Sequence, residues 1–143
     1  MKQVTSFMLL IAIALFSFSS CSKTRDGLGL DTIRNAARTG KWEVKHLVYV
    51  GTSSDPIVNE SLTSGGGYAE FKSDKVWYYD ENGVHNEADD VTYSFLDTKS
   101  IIYGGDEYDI QENLAGSFTR MTLQRTTTAG STTTGREVYI FER

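Results

Sequence analysis

Few side chains in this chain could do chemistry. Cys21 is the only thiol, and the two histidines are His46 and His85. Cys21 stands directly behind an almost unbroken apolar run, Phe7 to Phe18, which Lys2 precedes and the small residues Ser19 and Ser20 follow. That run is too short to cross a bilayer comfortably and has the composition of a secretory signal. Read from residues alone, Cys21 is either a modification site or an incidental thiol behind an ordinary signal. Neither histidine falls in a His-x-x-x-His or cysteine-rich metal pattern. His85 lies within the acidic stretch from Asp80 to Asp90. Several carboxylates attract a hard cation, but the spacing is not that of an EF-hand loop, and the stretch reads as a solvated charged turn. The chain contains no Gly-x-Ser-x-Gly elbow and no phosphate-binding glycine loop followed by lysine. Nothing nominates a pair of glycosidase carboxylates. The expectation is a protein that is not an enzyme, with no catalytic residue, no metal and no cofactor.

The elements that position these residues follow from composition and period. The whole chain carries a formal charge of −5, and residues 1–20 hold one lysine and no acid. The remainder is therefore more acidic still, which argues against nucleic-acid binding. With a single cysteine no disulfide forms within the chain, so packing must supply stability. Every aromatic beyond residue 20 lies between Trp42 and Phe141. Thr, Tyr and Val are plentiful and Pro56 is the sole proline, which is strand composition.

Ser22 to Gly29 is polar and glycine-containing and reads as a flexible tether. Leu30, Ile33 and Ala37 then recur at helical spacing, predicting one short helix over Asp31 to Arg38 that stops at Gly40. From Lys41 the period changes to two. Strands are predicted at Lys41–Val50, Tyr68–Lys72, Val76–Asp80, Val91–Leu96, Ser100–Tyr103, Glu107–Gln111, Thr119–Thr126 and Arg136–Glu142. Turn residues such as Asn82-Gly83, Gly104-Gly105 and the segment 113–116 separate them. That spacing predicts an all-β antiparallel meander of about eight strands. Two connections are long: Gly51 to Gly67, and the Thr-rich Thr127 to Gly135, which reads as a solvated, mobile loop.

Alternation places Trp42, Val44 and His46 on one face of the first strand, expected to point inward. The same parity turns Phe71, Tyr78, Tyr93, Phe95, Tyr108, Ile110, Met121, Leu123, Tyr139 and Phe141 inward. Trp77 and Tyr79 are ambiguous. An inward His46 either fixes a ligand or is a core histidine satisfied by a tyrosine. The candidate ligand-binding residues of the lumen are His46, Tyr78, Tyr93, Tyr108, Met121 and Tyr139. These rings could also fill the interior.

The run Phe18-Ser19-Ser20-Cys21 resembles the lipobox of a bacterial lipoprotein, with Phe18 where leucine is usual, as in the looser lipoboxes of Bacteroidetes-type bacteria. The resemblance implies cleavage before Cys21, a diacylglycerol on its sulfur and a fatty acyl group such as palmitate on its amine. A tether with more than one acyl chain holds stably to a membrane. Ser22 stands where many inner-membrane lipoproteins carry aspartate, which favours the outer membrane of the cell envelope.

Gly40-Lys41-Trp42 opens the first strand after a short helix, and the last strand ends Phe141-Glu142-Arg143. This order is similar to that of the lipocalin-like domains of small Bacteroidetes lipoproteins. The resemblance implies three segments: a signal peptide at 1–20, a lipidated tether at 21–29 and an up-and-down β-barrel at 30–143. It also implies that Arg143 lies across the Trp42 ring and closes one barrel end, with Arg120 and Arg125 as fallback partners, and that Gly40 has a structural role. Lipocalin-like barrels often take a small apolar or amphipathic ligand. The competing expectation is a packed barrel that meets another protein through its loops or outer face.

Overall fold

The computed structural model describes residues 22–114 and 118–143. Cys21, the segment before it and part of the 113–116 turn lie outside the described residues. Among the described residues one helix, α1 (Ser22–Ala37), precedes nine strands: β1 (Glu43–Val50), β2 (Val58–Ser61), β3 (Tyr68–Phe71), β4 (Lys75–Tyr79), β5 (Val91–Phe95), β6 (Ser100–Tyr103), β7 (Asp106–Ile110), β8 (Arg120–Ala129) and β9 (Thr132–Glu142). All pair antiparallel in one curled half-barrel sheet of order β2-β1-β9-β8-β7-β6-β5-β4-β3. The all-β fold is thus the expected one, with a meander from β3 to β9.

Three expectations need correction. The helix begins at Ser22, so the segment read as a tether is helical. An anchored helix extends at one hydrogen bond per added residue. Ile33 and Ala37 supply the anchor, both buried in the core cluster. The Thr-rich segment is no loop. β8 and β9 pair continuously from Arg120↔Glu142 to Ala129↔Thr132, with an irregularity at Thr127/Thr128. Threonine's branched side chain favours strand, and this outweighed the lack of apolar surface. A two-residue turn, Gly130-Ser131, suffices to reverse the chain.

The third correction concerns closure and the ninth strand. β2, inside the long Gly51–Gly67 connection, pairs β1 from Lys45↔Ser61 to Val48↔Val58. Further along the same edge, Trp42 exchanges two backbone hydrogen bonds with Ala69, at 2.9 and 2.8 Å. β2 and β3 therefore run end to end beside β1, broken by the 3-10 turn Ser64–Gly66. The curl closes through Trp42 at one end only. At the other, β2 is the last strand of the sheet among the described residues, and β4 leaves β5 after two register pairs to bridge His85 through Tyr79.

Register arranges the inner face in rows. Val44, Phe141 and Met121 stand side by side; the next row is Glu60, His46, Tyr139 and Leu123; the next is Val48, Glu137 and Arg125. Rows near Trp42 are apolar and rows away from it are polar. Gly135 continues β9 beyond Glu137, and a Cβ there would fall 1.9 Å from the Tyr49 carbonyl oxygen. Only glycine lets β1 and β9 approach this closely at that point.

Candidate functional site

The two ends of the curl hold different groups. At the closed end Trp42 is fully buried, edge-on to Phe71, Phe118 and Phe141 at 6.2, 5.6 and 6.5 Å between ring centroids. Its indole N–H donates to the Ala37 carbonyl at 2.9 Å, tying β1 to α1. Arg143 lies over the indole with Cζ 4.4 Å from the ring centre, and its Nε donates to the Phe118 carbonyl at 2.8 Å. Gly40, at φ 90°, leaves room for it: a Cβ there would sit 3.2 Å from Nη1 of Arg143. The fallback partners are engaged elsewhere. Arg120 pairs with Glu112 and Glu142, and Arg125 with Asp106 and Glu137.

Two expected lumen residues belong to this closed end. Tyr93 donates to the Lys72 carbonyl and accepts from Arg38 Nε at 3.2 Å, beneath the helix. Met121 is wholly buried in the core. Neither lines a cavity at the mouth, because the rings of Phe71, Phe95 and Phe141 fill the space beside them.

The open end holds a cavity of about 500 Å³, lined by Leu62, Tyr78, Asp89, Val91, Tyr103, Gly104, Asp106, Tyr108, Arg125, Glu137 and Tyr139. β4, β6, β7 and β9 each present one tyrosine to it. Tyr103, Tyr108 and Tyr139 stand mutually edge-to-face, with interplanar angles of 80°, 61° and 77°. The Tyr78 and Tyr103 hydroxyls meet at 2.8 Å on the buried side. One proton serves that bond, so the pair keeps one O–H free to donate.

Glu137 is the hub of this end. Its carboxylate accepts from Arg125 Nε at 2.7 Å, His46 Nε2 at 2.9 Å, the Tyr108 hydroxyl at 3.0 Å and the Tyr139 hydroxyl at 3.4 Å. Burial alone would push its pKa up. The bonds from Arg125, His46 and Tyr108 outweigh that and hold it below the usual glutamate value. Burial pushes Tyr108 upward, and its bond to Glu137 adds to this. Tyr139 is pushed up to about 12, by burial first and then by the Glu137 charge. Burial also raises Tyr78 and Tyr103. All four phenols stay neutral around an ionised carboxylate at neutral pH.

His46 is neither free in an apolar lumen nor satisfied by a tyrosine hydroxyl. It stacks on Tyr139 at 4.5 Å, and its Nδ1 lies 3.0 Å from Glu60 on β2. With Glu137 on the other nitrogen, at 2.9 Å, the ring is held between two carboxylates from β2 and β9. Of the expected lumen residues, Tyr78, Tyr108 and Tyr139 line the cavity and His46 braces it from behind. Strand reasoning passed over Tyr103, Glu137 and Arg125, among others of the lining. Parity could have found the two charged ones: Glu137 is two residues before inward Tyr139, and Arg125 two after inward Leu123.

His85 sits on the outer face, stacked on Trp77 at 4.1 Å and bonded to Asp90 at 2.7 Å. The ambiguous Trp77 and Tyr79 therefore face outward, where Tyr79 stacks on Tyr68 at 4.6 Å. Among the described residues no three His, Cys, Asp or Glu side chains gather to hold a metal ion, and no helix is long and apolar enough to cross a membrane. No protein-family model matches the chain, and a search of the curated proteins finds no match.

Proposed function

We propose that the protein is an envelope lipoprotein, tethered through lipidated Cys21 to the outer membrane, whose lipocalin-like half-barrel binds a small amphipathic ligand and catalyses no reaction. The observation that carries the reading is the cavity of about 500 Å³ at the open end, walled by four tyrosines with charged groups at its rim. Its size is that of a small-molecule site, and its lining pairs aromatic and aliphatic walls with charged groups that can orient an amphipathic guest. The ligand-binding role moves from the deep lumen, which is packed, to the mouth.

Nile red, a neutral apolar dye, should bind one-to-one and raise the melting temperature with the logarithm of its concentration above Kd. Val91→Trp, which narrows the cavity, should weaken it. An absence of saturable binding would remove the reading. Acylation is tested separately: mass spectrometry of the N-terminal peptide should find modified Cys21, and Cys21→Ser should abolish partition into detergent.

A specific observation favours the competing reading, a barrel that meets another protein. Among the described residues β2 is a sheet edge, and Val50 and Ile57, at the ends of β1 and of the turn into β2, are 53% and 67% exposed. Exposed strand edges pair readily with other chains. Binding of a partner with no dye binding would select it.

A further inference from the structure

Granting the mouth as a small-molecule site, we propose that its guest is a small organic cation, an amine or quaternary ammonium carried on an apolar or aromatic body. Three features of the cavity converge on that class. The first is charge. Its lining includes the carboxylates of Asp89, Asp106 and Glu137 and one guanidinium, Arg125, with His46 behind Glu137. The second is that Arg125 is already engaged. Its Nε meets Glu137 at 2.7 Å, its Nη1 meets Asp106 at 2.9 Å, and its Cζ lies 5.3 Å from the Tyr108 ring centre. A carboxylate guest would have to displace these partners and enter against surplus negative charge. A cation meets that charge with the right sign.

The third feature is the shape of the aromatic wall. Tyr103, Tyr108 and Tyr139 stand at 4.9–6.2 Å between ring centroids, each steeply inclined to the other two. All three line one cavity; His46 covers one face of Tyr139 and Arg125 lies over Tyr108, and the ring surface left at the cavity is what an ammonium would meet. That is how aromatic cages hold ammonium groups, through the negative ring face. The rings are neutral phenols, so the wall adds no charge that an ammonium must neutralise. The guest's body then rests against Leu62 and Val91, the aliphatic part of the lining.

Calorimetric titration of the full chain with benzyltrimethylammonium, benzyl alcohol and phenylacetate tests charge at a constant ring. The cation should bind one-to-one, about tenfold or more tighter than the alcohol, with phenylacetate weakest. Asp106→Asn and Asp89→Asn, each at the rim, should each narrow the gap between cation and alcohol. Tyr139→Leu, which removes one ring of the wall, should narrow it further. Raising the salt concentration should weaken the cation and leave the alcohol unchanged. Equal affinity for all three probes, or preference for phenylacetate, overturns the proposal. If none binds while Nile red still does, the cation reading fails and the mouth remains a site. If Nile red fails as well, the small-molecule reading has gone with it.

Discussion

The closed and open ends of this half-barrel use the same residue types for different purposes. At the closed end a tyrosine, two arginines and a tryptophan spend their donors on backbone carbonyls: Tyr93 on Lys72, Arg38 on Ser73, Arg143 on Phe118 and Trp42 on Ala37. At the open end tyrosines, an arginine and a histidine spend theirs on other side chains, chiefly Glu137. A bond to a backbone carbonyl pins one element to another. A bond between side chains beside a cavity can be exchanged for one to a guest. Similar composition therefore gives a plug at one end and a binding wall at the other, and the acceptor decides which.

The sharpest way to break this contrast is Trp42→Ala. The change removes a fully buried indole that three rings and Arg143 pack against, together with the tie to α1. We expect a loss of about 3–5 kcal/mol in urea denaturation, as for other buried large aromatics. A variant as stable as the parent would mean the closed end does not hold the fold.

At the open end the matching change is Glu137→Leu, which leaves the buried Tyr108 hydroxyl without its acceptor and removes one partner each from Arg125 and His46. Each keeps a second carboxylate, Asp106 and Glu60 respectively. The expected cost is therefore smaller, about 1–3 kcal/mol. Its pH dependence has a definite sign. Glu137 titrates lower in the folded chain than its unperturbed 4.5. Its contribution is thus present above that value and lost as pH falls through the folded one. Denaturation midpoints measured from neutral pH downward should fall less steeply for Glu137→Gln than for the parent. Parallel curves would show that Glu137 is not held ionised by its donors.

Much of the closed end was legible in the sequence. Gly40-Lys41-Trp42 after a short helix, with Arg143 two residues past Phe141, carried the resemblance that implies an arginine across the indole. Strand parity also turned most of the inner rings inward, though it left out Tyr103. What parity could not do was divide them between plug and mouth, since Tyr93 and Tyr139 have the same alternation but meet different acceptors. Glu137 was missed because a charge near a strand end ordinarily faces water. Its buried role depends on Arg125, Tyr108 and His46 arriving from three other strands, which is a fact of register. The pairing of the Thr-rich hairpin and the short β2 was likewise hidden. β2 becomes a strand by pairing with β1, and the hairpin forms because its β-branched threonines favour strand despite their polarity.

The smallest expected effect sharpens the comparison most finely, because it asks how the plug is sealed. Arg143 contacts Trp42 in two ways: its cation lies over the indole, and its Nε bonds the Phe118 carbonyl. Its backbone N–H also donates to the Thr119 carbonyl at 3.0 Å, and a side-chain change keeps that bond. Arg143→Ala should therefore cost about 1 kcal/mol, the scale of a partly exposed cation over a ring. Arg143→Lys separates the two contacts. Lysine keeps a charge near the indole, but it has neither the planar group that lies flat on a ring nor a second donor in a fixed fork. It should recover only part of the loss. Full recovery by lysine would make charge alone the seal. No recovery would place the whole effect in the planar stack and the Phe118 bond, the kind of backbone tie that sets this end apart from the mouth.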